Sequence, residues 1–336
     1  MLAIGRLGLI LEDEENQKWR LVYDATISGI NPKIQIPERC ELPGLQDLTG
    51  ILASGLLGQQ VKGLKIDVKA AFKCIKLLPS EYHKNVTILD GKYYFYKVLP
   101  FGSKISAYIW QRLAALIHRI IQQVLAAWTH AGLVYVDDTL WIFKQNQADK
   151  LATLTVAMLQ ILKVPLSWKK TKFSNDLSWV GFLVDLCTRE VQIPPIKLQE
   201  LKQFITDKIT HRNTSVKIAE KITGKLSWAA SAFIGSAPFL ANLYRQIAAV
   251  KGENKFFFKI SAEVSRDLRM WWWITSVMPF RVPPIQKGFD KNYWIRTDAR
   301  TIPATIAGWY FPGENPLVHE IMWFQYQIQK DTILFY

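Results

Sequence analysis

Two adjacent aspartates, Asp137 and Asp138, lie between two apolar runs that are typical of β-strands. Successive side chains of a strand point to opposite faces, so an uninterrupted strand would bury one carboxylate without a partner, which is costly. The pair is therefore predicted at a tight turn between two strands. Carboxylates gathered at such a turn are suited to Mg²⁺, which is commonly held by one or two carboxylates. An ordinary Asp-Asp turn without a ligand is the competing interpretation.

The run Tyr135-Val136-Asp137-Asp138 resembles the YxDD motif of reverse transcriptases. A second segment, Asp67-Val68-Lys69-Ala70-Ala71-Phe72, resembles the D-x-x-x-A-F/Y motif of the same family, 70 residues earlier. The resemblance implies that two metal ions, Mg²⁺ with Mn²⁺ as an alternative, are held by Asp67, Asp137 and Asp138. It also implies that Tyr135 and Phe72 contact the substrate, with the Phe72 ring beneath the incoming sugar, where it selects deoxynucleotides. A core position is the alternative for Phe72.

A bend before a predicted helix, Leu99-Pro100-Phe101-Gly102, continues to Gln111 and resembles the LPxGxxxSPxxFQ block of that family. Ala107 stands where the family usually has proline, and Trp110 stands where it has phenylalanine. Neither change removes a functional group. The resemblance implies substrate contacts from Phe101, Gly102 and Gln111, because a Pro-x-Gly bend lets the backbone approach a ligand closely.

Two downstream segments, Ser167-Trp168-Lys169-Lys170 and Trp179-Val180-Gly181-Phe182, resemble the lysine-bearing loop and the primer-grip hairpin of reverse transcriptases. The resemblance implies that Lys170 is a general acid that protonates the leaving pyrophosphate. It also implies nucleic-acid contacts from Trp179 and Gly181.

Upstream, the run from Lys18 through Trp19 and Arg20 to Asn31 resembles the family's fingers motif W-R-x-x-x-D-x-R-x-L-N. Arg20 would contact the triphosphate of the nucleotide, since the guanidinium fork donates two hydrogen bonds at once. Two features depart from the motif. Thr26 replaces the second arginine, with an insertion before Asn31, and an acidic run at 12–15 precedes Trp19, where it would repel a triphosphate.

Basic residues recur, with few acids between them, on helices predicted within 196–250. Gly224-Lys225-Leu226-Ser227-Trp228 resembles the thumb segment of retrotransposon enzymes, which implies that Lys217, Lys221 and Lys225 contact the sugar–phosphate backbone. A solvated helix face is the alternative.

The last segment, with Thr297-Asp298-Ala299 and Gly308-Trp309, resembles the opening hairpin of a retroelement RNase H domain. Asp298 and Glu320 would then be a remnant of its acidic residues. Further acids of that domain do not follow before Tyr336, so an inactive, connection-like unit is expected.

The elements that must position these residues follow from periodicity. Alternation and turn residues predict strands over 1–11, 19–23, 34–37, 63–68, 92–98, 179–185, 190–193, 293–298 and 305–311, besides the two beside the Asp-Asp turn. Helical spacing predicts helices over 106–130, 147–163, 256–279 and several within 196–250, one of them capped by Ser215.

Composition narrows the class of protein. Hydrophobic residues make up 49% of the 336 residues and charged ones 21%, which is typical of a globular chain. The net charge of +14 favours a polyanionic partner, nucleic acid first and an anionic membrane second. No apolar run reaches the roughly 20 residues that span a bilayer. The widely spaced Cys40, Cys74 and Cys187 fit a reducing compartment, cytoplasmic or nuclear, and indicate neither a zinc site nor a disulfide framework.

The resemblance implies an α+β right-hand polymerase. Its fingers are expected at 1–62 with 80–105, a palm with an antiparallel sheet at 63–190, a helical thumb at 191–282, and a partial RNase H-like or connection segment at 283–336. The expected function is two-metal DNA synthesis from dNTPs by a retrotransposon reverse transcriptase of the LTR or tyrosine-recombinase groups. RNA template and DNA primer are the expected partners, without a membrane, and a dimer or a polyprotein context stays open.

Three alternatives remain beside this interpretation. An RNA-dependent RNA polymerase shares the palm, but Phe72 and the Tyr-x-Asp-Asp form disfavour it. A non-catalytic nucleic-acid-binding protein on a polymerase scaffold is disfavoured by the three acids and left open by the acidic run. The third alternative is a decayed or truncated copy of an element, folded but inactive.

Overall fold

The computed structural model of the protein describes residues 2–13, 17–38, 40–58, 60–233, 235–277, 281–282, 293–301, 304–312 and 322–327. It is a mixed α/β fold, and the chain divides into two units, Met1–Pro284 and Ile285–Tyr336.

The first unit contains fourteen strands in its described part. They are β1 Arg6–Asp13, β2 Lys18–Asp24, β3 Val61–Asp67, β4 Val86–Leu89, β5 Lys92–Phe95, β6 His130–Tyr135, β7 Asp138–Lys144, β8 Lys172–Ser174, β9 Asp176–Trp179, β10 Phe182–Asp185, β11 Glu190–Gln192, β12 Asn213–Ser215, β13 Phe257–Lys259 and β14 Arg281–Val282.

Eight α-helices complete the described part of this unit. They are α1 Ile30–Lys33, a single turn, then α2 Leu45–Ala53, α3 Lys104–Val124, α4 Ala148–Ile161, α5 Pro195–Thr210, α6 Val216–Ala230, α7 Ala241–Gly252 and α8 Ala262–Val277.

A four-stranded antiparallel sheet in the order β6-β7-β3-β8 is the scaffold of the unit. Successive side chains of its strands point to opposite faces of the sheet, and both faces are apolar. One face buries Ile66, Trp141 and Phe143 against α3 and α4. The other face buries Leu140 and Ile142 in a second core, shared with the β9–β11 strands and the four helices α5–α8. Sheet and helices are therefore held by two separate hydrophobic cores.

The predicted elements agree with the structure in kind more than in extent. Ser215 caps α6 as predicted, because its Oγ accepts the Ile218 N–H at 3.2 Å. The helix predicted over 256–279 begins only at Ala262, since Phe257–Lys259 pairs with β12 as a strand. The strand predicted over 34–37 is absent from this described segment, where prolines flank the run and remove backbone donors.

Two predicted strands are shorter or divided. The strand over 92–98 ends at Phe95, after which the backbone changes partner, with the Leu77 N–H bonding to the Lys97 carbonyl at 2.9 Å. The strand over 179–185 is a hairpin, because Val180 and Gly181 both have positive φ angles, of 48° and 86°, and turn the chain.

The second unit is described by itself as a three-stranded antiparallel sheet of β15 Tyr293–Thr301, β16 Ala304–Pro312 and β17 Met322–Gln327. The first two strands lie where the sequence predicts them.

No helix in the described ranges is long and apolar enough to cross a membrane. The three cysteines are free thiols, with Cys74 and Cys187 exposed.

Candidate active site

A two-residue turn places Asp137 at the tip of the β6–β7 hairpin. Tyr135 pairs with Asp138 across the hairpin, so Val136 and Asp137 form the turn. Val136 has a φ of 55°, in the left-handed region that a β-branched residue seldom adopts. The Trp110 Nε1–H donates to the Val136 carbonyl at 2.9 Å and holds this strained residue in place. The tight turn predicted for the Asp-Asp pair is therefore present.

Asp67 ends β3 directly beside this turn. It pairs in register with Asp138 of β7. The next residue, Val68, donates its backbone N–H to the Asp137 carbonyl at 3.0 Å, and the Asp67 carbonyl accepts the Ser167 N–H at 2.8 Å. Because neighbouring strands lie about 5 Å apart, this register brings the three predicted aspartates together at one end of the two inner strands of the sheet.

Two lysines pair with two of these aspartates. Lys170 Nζ lies 3.0 Å from Asp67 Oδ1. Lys65 Nζ lies 3.1 Å from Asp138 Oδ2. Lys170, predicted as a general acid, therefore contacts Asp67, a predicted metal ligand. Lys65 pairs with Asp138 on the neighbouring strand.

Burial raises the pKa of both aspartates of the hairpin. The pKa of Asp138 rises to about 6, since desolvation outweighs the ion pair with Lys65 and the charges of Asp67 and Asp137 add to the rise. The pKa of Asp137 is raised mainly by desolvation and further by the charge of Asp67, while nearby cationic side chains oppose the shift. The ionised forms that would bind a cation are therefore favoured as the pH increases.

A cavity of about 500 Å³ opens beside the hairpin. Its lining includes Asp67, Asp137, Lys170 and residues of two other predicted motifs, Arg20 and Phe101. Asp138 does not line it. The volume lies within the range of small-ligand pockets, about 300–1,000 Å³. The structure therefore gathers most of the predicted catalytic and nucleotide-contacting residues around one ligand-sized space.

Aromatic rings form one side of this cavity. The Arg20 guanidinium carbon lies 4.9 Å from the centroid of the Phe101 ring. The centroids of Phe101 and Phe72 are 5.8 Å apart. Phe72 is half-buried and packs partly against the core of the sheet, so it both lines the cavity and serves as a packing residue.

Gly102 allows the predicted bend to pack against β2. Its φ is 108°, and a Cβ at this position would lie 2.0 Å from the Tyr23 carbonyl oxygen. The Tyr23 N–H donates to the Phe101 carbonyl at 2.8 Å. The Asn31 side chain donates to the Gly102 carbonyl at 3.0 Å and accepts the Lys104 N–H at 2.9 Å. Backbone contacts thus join two motifs that are far apart in the sequence.

Gln111 and Tyr135, both predicted to contact substrate, lie outside this cavity. Gln111 lines a separate cavity of about 240 Å³ together with Arg112 and Arg119. Tyr135 is half-buried, with its ring edge-on to that of Trp179 at a centroid distance of 6.5 Å.

The β9–β10 turn docks against two helices. The Gly181 carbonyl accepts from Lys197 Nζ at 3.2 Å, and the Val180 carbonyl accepts from Trp228 Nε1 at 3.1 Å. A cavity of about 350 Å³ lies between them. Trp179, predicted as a nucleic-acid contact, has no exposed surface and is a core residue in this structure.

The three lysines predicted to contact nucleic acid lie on α6. Lys217 is exposed near the start of the helix. Lys225 pairs with Glu200 of α5 at 2.9 Å. Lys221 and Lys225 also lie over the Phe204 ring, at 5.9 and 4.9 Å from its centroid.

The donor set determines how a metal ion would bind. Within the ranges that the structure describes, no three His, Cys, Asp or Glu side chains form a cluster that could hold a metal ion. Asp67 and Asp137 nevertheless line the same cavity. Mg²⁺ is usually bound through one or two carboxylates, with phosphate and water oxygens completing its shell. These two carboxylates fit that mode of binding.

Of the two possible RNase H residues, one lies in the described part of the chain. Asp298 lies on β15, opposite Ala307 of β16. Glu320 lies outside the described residues.

Two residues of the site were given no role by the sequence. One is Lys65, with its ion pair, and the other is Trp110, with its hydrogen bond. Lys65 precedes Asp67 by two residues, and alternate residues share a face of a strand, which is the signal that could have shown it. No local signal shows which carbonyl the Trp110 indole reaches.

Comparisons with known proteins agree with the motifs. A family model described as "Reverse transcriptase (RNA-dependent DNA polymerase)" matches residues 14–184, just over half of the chain. The retrovirus-related Pol polyprotein from transposon gypsy of Drosophila melanogaster is 28% identical over 172 residues, which are 50% of this chain and 15% of that polyprotein. The genome polyprotein of Petunia vein clearing virus is 30% identical over 120 residues, 35% of this chain and 5% of that polyprotein. The chain thus spans a small part of these relatives.

Solved structures show the same fold. The foamy viral protease-reverse transcriptase dRH in complex with double-stranded DNA has a TM-score of 0.62 and 17% identity, covering 97% of this chain and 52% of that one. The same viral protein in complex with an RNA/DNA hybrid has a TM-score of 0.59 and 17% identity, covering 97% and 40%.

Proposed function

This chain belongs to the reverse transcriptase family, and on that premise we propose that it is an RNA-directed DNA polymerase of a retrotransposon. It extends a DNA primer on an RNA or DNA template, using dNTPs, as one part of a longer polyprotein. The observation that carries the proposal is the single cavity of about 500 Å³ where Asp67 and Asp137 meet Arg20, Phe101 and Lys170.

The proposal assigns the right-hand arrangement of polymerases to the first unit. Residues 1–62 with 80–105 are the fingers, residues 63–190 are the palm and residues 191–282 are the thumb. The four-stranded sheet and the two helices behind it support the palm assignment. The helices α5–α8, which share one hydrophobic core, support the thumb assignment. Residues 283–336 are assigned to an RNase H-like or connection segment.

Four residues of the cavity are assigned roles in nucleotidyl transfer. Asp67 and Asp137 hold the two divalent cations, Mg²⁺ or Mn²⁺, which when bound would lower the pKa of the primer 3′-hydroxyl and neutralise the triphosphate. Arg20 binds the triphosphate through its guanidinium fork. Lys170, whose Nζ lies 3.0 Å from Asp67 Oδ1, is assigned the role of giving a proton to the leaving pyrophosphate.

The aromatic residues of the cavity select the sugar. Phe72 and Phe101 lie side by side on its wall, with Arg20 over the Phe101 ring. A rigid ring beneath the sugar leaves no room and no hydrogen-bond partner for a 2′-hydroxyl, so dNTPs are favoured over rNTPs.

Primer extension on an RNA template with Mg²⁺ tests the proposal. The wild-type chain would be compared with Asp137→Asn, which keeps the size of the side chain and removes its charge. Asp90→Asn is the matched control, because Asp90 lies in the β4–β5 turn and does not line the cavity. Each protein would be supplied with dNTPs and, separately, with rNTPs.

We expect extension with dNTPs by the wild type and by Asp90→Asn, and a loss of about 100- to 1,000-fold in Asp137→Asn, as is typical when one electrostatic contribution to a transition state is removed. Extension with rNTPs at a similar rate would instead indicate an RNA polymerase. Binding of primer–template without extension by any variant would indicate a nucleic-acid-binding relic of an element.

A further inference from the structure

Asp138 is held by a lysine that lies on the neighbouring strand. Lys65 Nζ is 3.1 Å from Asp138 Oδ2, and the two side chains are only 17% and 21% exposed. Lys65 and Asp67 lie on the same face of β3, and Asp67 is in register with Asp138 of β7. The ammonium group therefore approaches Asp138 along the sheet, diagonally across two paired strands.

This ion pair differs from that of Lys170 with Asp67. The Lys170 side chain is 58% exposed, so its ammonium can move into water or towards a ligand when a cation takes the carboxylate. Lys65 lacks that freedom, because its side chain is largely enclosed by the sheet. Separating a buried pair leaves a charge without compensation, which costs far more than separating an exposed pair.

Two further observations set Asp138 apart from the other aspartates. It does not line the cavity that Asp67 and Asp137 share. In the described part of the chain, moreover, the carboxylates do not form a cluster of three around a common point. The geometry thus presents two aspartates to a ligand and turns the third towards Lys65.

We propose that Lys65 is a positioning residue that serves as the permanent counter-ion of Asp138, so that Asp67 and Asp137 alone bind the divalent cations. This inference rests on the proposed polymerase function and refines its ligand set. Asp138 acts through its ion pair, which ties β7 to β3 directly below the turn that carries Asp137.

Cation binding itself tests this role, without recourse to activity. Mn²⁺ would be titrated into the full chain at pH 8 and followed by the electron paramagnetic resonance signal of free Mn²⁺. The variants are Asp137→Asn, Asp138→Asn, Lys65→Met, Lys65→Arg and the double variant Lys65→Met with Asp138→Asn. Lys62→Met is the matched control, since Lys62 lies on the same strand and pairs with Asp149, away from the cavity.

We expect Asp137→Asn to weaken Mn²⁺ binding by at least about tenfold, and the double variant, which removes the ion pair without changing the net charge, to change it by less than about threefold. Lys65→Met should strengthen Mn²⁺ binding by about tenfold, because it leaves the negative charge of Asp138 uncompensated beside the two ligands. Asp138→Asn alone leaves the Lys65 ammonium uncompensated and should weaken binding through that charge, a loss that Lys65→Met should reverse. Lys65→Arg keeps the charge and should bind as the wild type does. The gain should vanish in the double variant, which has no carboxylate to release.

Thermal unfolding gives a second readout on the same proteins. Lys65→Met should lower the melting temperature by several degrees without metal and recover most of the loss with Mn²⁺, whereas Lys62→Met should do neither. Should the double variant Lys65→Met with Asp138→Asn weaken Mn²⁺ binding as much as Asp137→Asn, Asp138 is a ligand and the inference is wrong. An unchanged Mn²⁺ affinity in Asp137→Asn would instead overturn the proposed function itself.

Discussion

At the scale of single residues, Trp110 shows how one side chain can stabilise the geometry of the turn that carries Asp137. Its position is one where the sequence departs from the family pattern, which has phenylalanine. The indole supplies what phenylalanine lacks, an N–H that donates to the Val136 carbonyl at 2.9 Å. Because Val136 is held at a positive φ, this bond stabilises a conformation that the residue does not prefer.

Replacing Trp110 with phenylalanine should therefore loosen the turn that carries Asp137. We expect unfolding free energy to fall by about 1–2 kcal/mol, as for one lost buried hydrogen bond with a small loss of packing. The rate of primer extension should also fall under conditions in which the variant is fully folded. Urea unfolding and single-turnover extension would measure the two effects.

Trp271→Phe is the matched control for this change. Trp271 is also buried, but its Nε1 has no hydrogen-bond partner in the described part of the chain. It should lose similar stability from packing and leave the extension rate unchanged. Equal effects of the two changes on the extension rate would contradict a role for the Trp110 hydrogen bond.

His118 makes stability depend on pH. It stacks on Trp141 at a centroid distance of 4.3 Å, and burial lowers its pKa to about 4. The unfolded chain, with a histidine pKa near 6.5, binds this proton first, so stability is complete above about pH 6.5 and is lost as the pH falls towards 4. The loss attributable to His118 should approach about 3 kcal/mol. Urea unfolding of the wild type and of His118→Phe at pH 7.5 and 5 would measure it, and parallel pH profiles would contradict it.

At the scale of elements, the bend before α3 is the joint that connects β2 to the sheet. Gly102 sits at this joint with a φ of 108°, and the Tyr23 carbonyl oxygen lies 2.0 Å from the position that a Cβ would take. The Asn31 side chain spans the same joint through the Gly102 carbonyl and the Lys104 N–H. Arg20 of β2 and Phe101 of the bend are thus positioned by contacts to the backbone of the bend rather than by their own side chains.

Replacing Gly102 with alanine should break this joint. The new methyl group would meet the Tyr23 carbonyl at 2.0 Å, and the backbone angle is unfavourable for any L-residue. We expect a loss of more than about 2 kcal/mol in unfolding free energy and a raised KM for dNTPs. Gly91→Ala is the control, since Gly91 has a φ of 73° but open space around it. Similar losses in the two variants would show that the angle alone, and not the contact with β2, sets the effect.

At the scale of the whole molecule, the chain consists of two units, and the boundary between them in the sequence falls after residue 284. The first unit contains both hydrophobic cores and every residue of the candidate site. The net charge of +14 would attract a polyanion such as nucleic acid.

A chain of residues 1–284 should therefore fold and bind primer–template by itself. We expect one cooperative unfolding transition with a melting temperature within a few degrees of that of the full chain, because no core of the first unit is cut. Calorimetry and fluorescence anisotropy with a labelled primer–template would measure stability and affinity. A broad, non-cooperative transition would show that residues beyond 284 complete the fold.

The sequence by itself determined the family of this protein. The spacing of Asp67, Asp137 and the Pro-x-Gly bend sufficed to identify the family, because motifs that bind charged ligands must keep their residue types. It also predicted the Asp-Asp turn, since an uninterrupted strand would bury one of two adjacent carboxylates without a partner. The N-cap of α6 at Ser215 was likewise predicted from local preference alone.

Only the tertiary structure decided which charges meet. The lysines paired with Asp67 and Asp138 come from positions 170 and 65, and the first of these pairs joins residues 103 positions apart. In the structure, Trp179 is a core residue and Gln111 lines a different cavity, although both lie in recognisable motifs. Such outcomes depend on strand register and on the packing of helices against the sheet, which are long-range properties that local patterns do not contain.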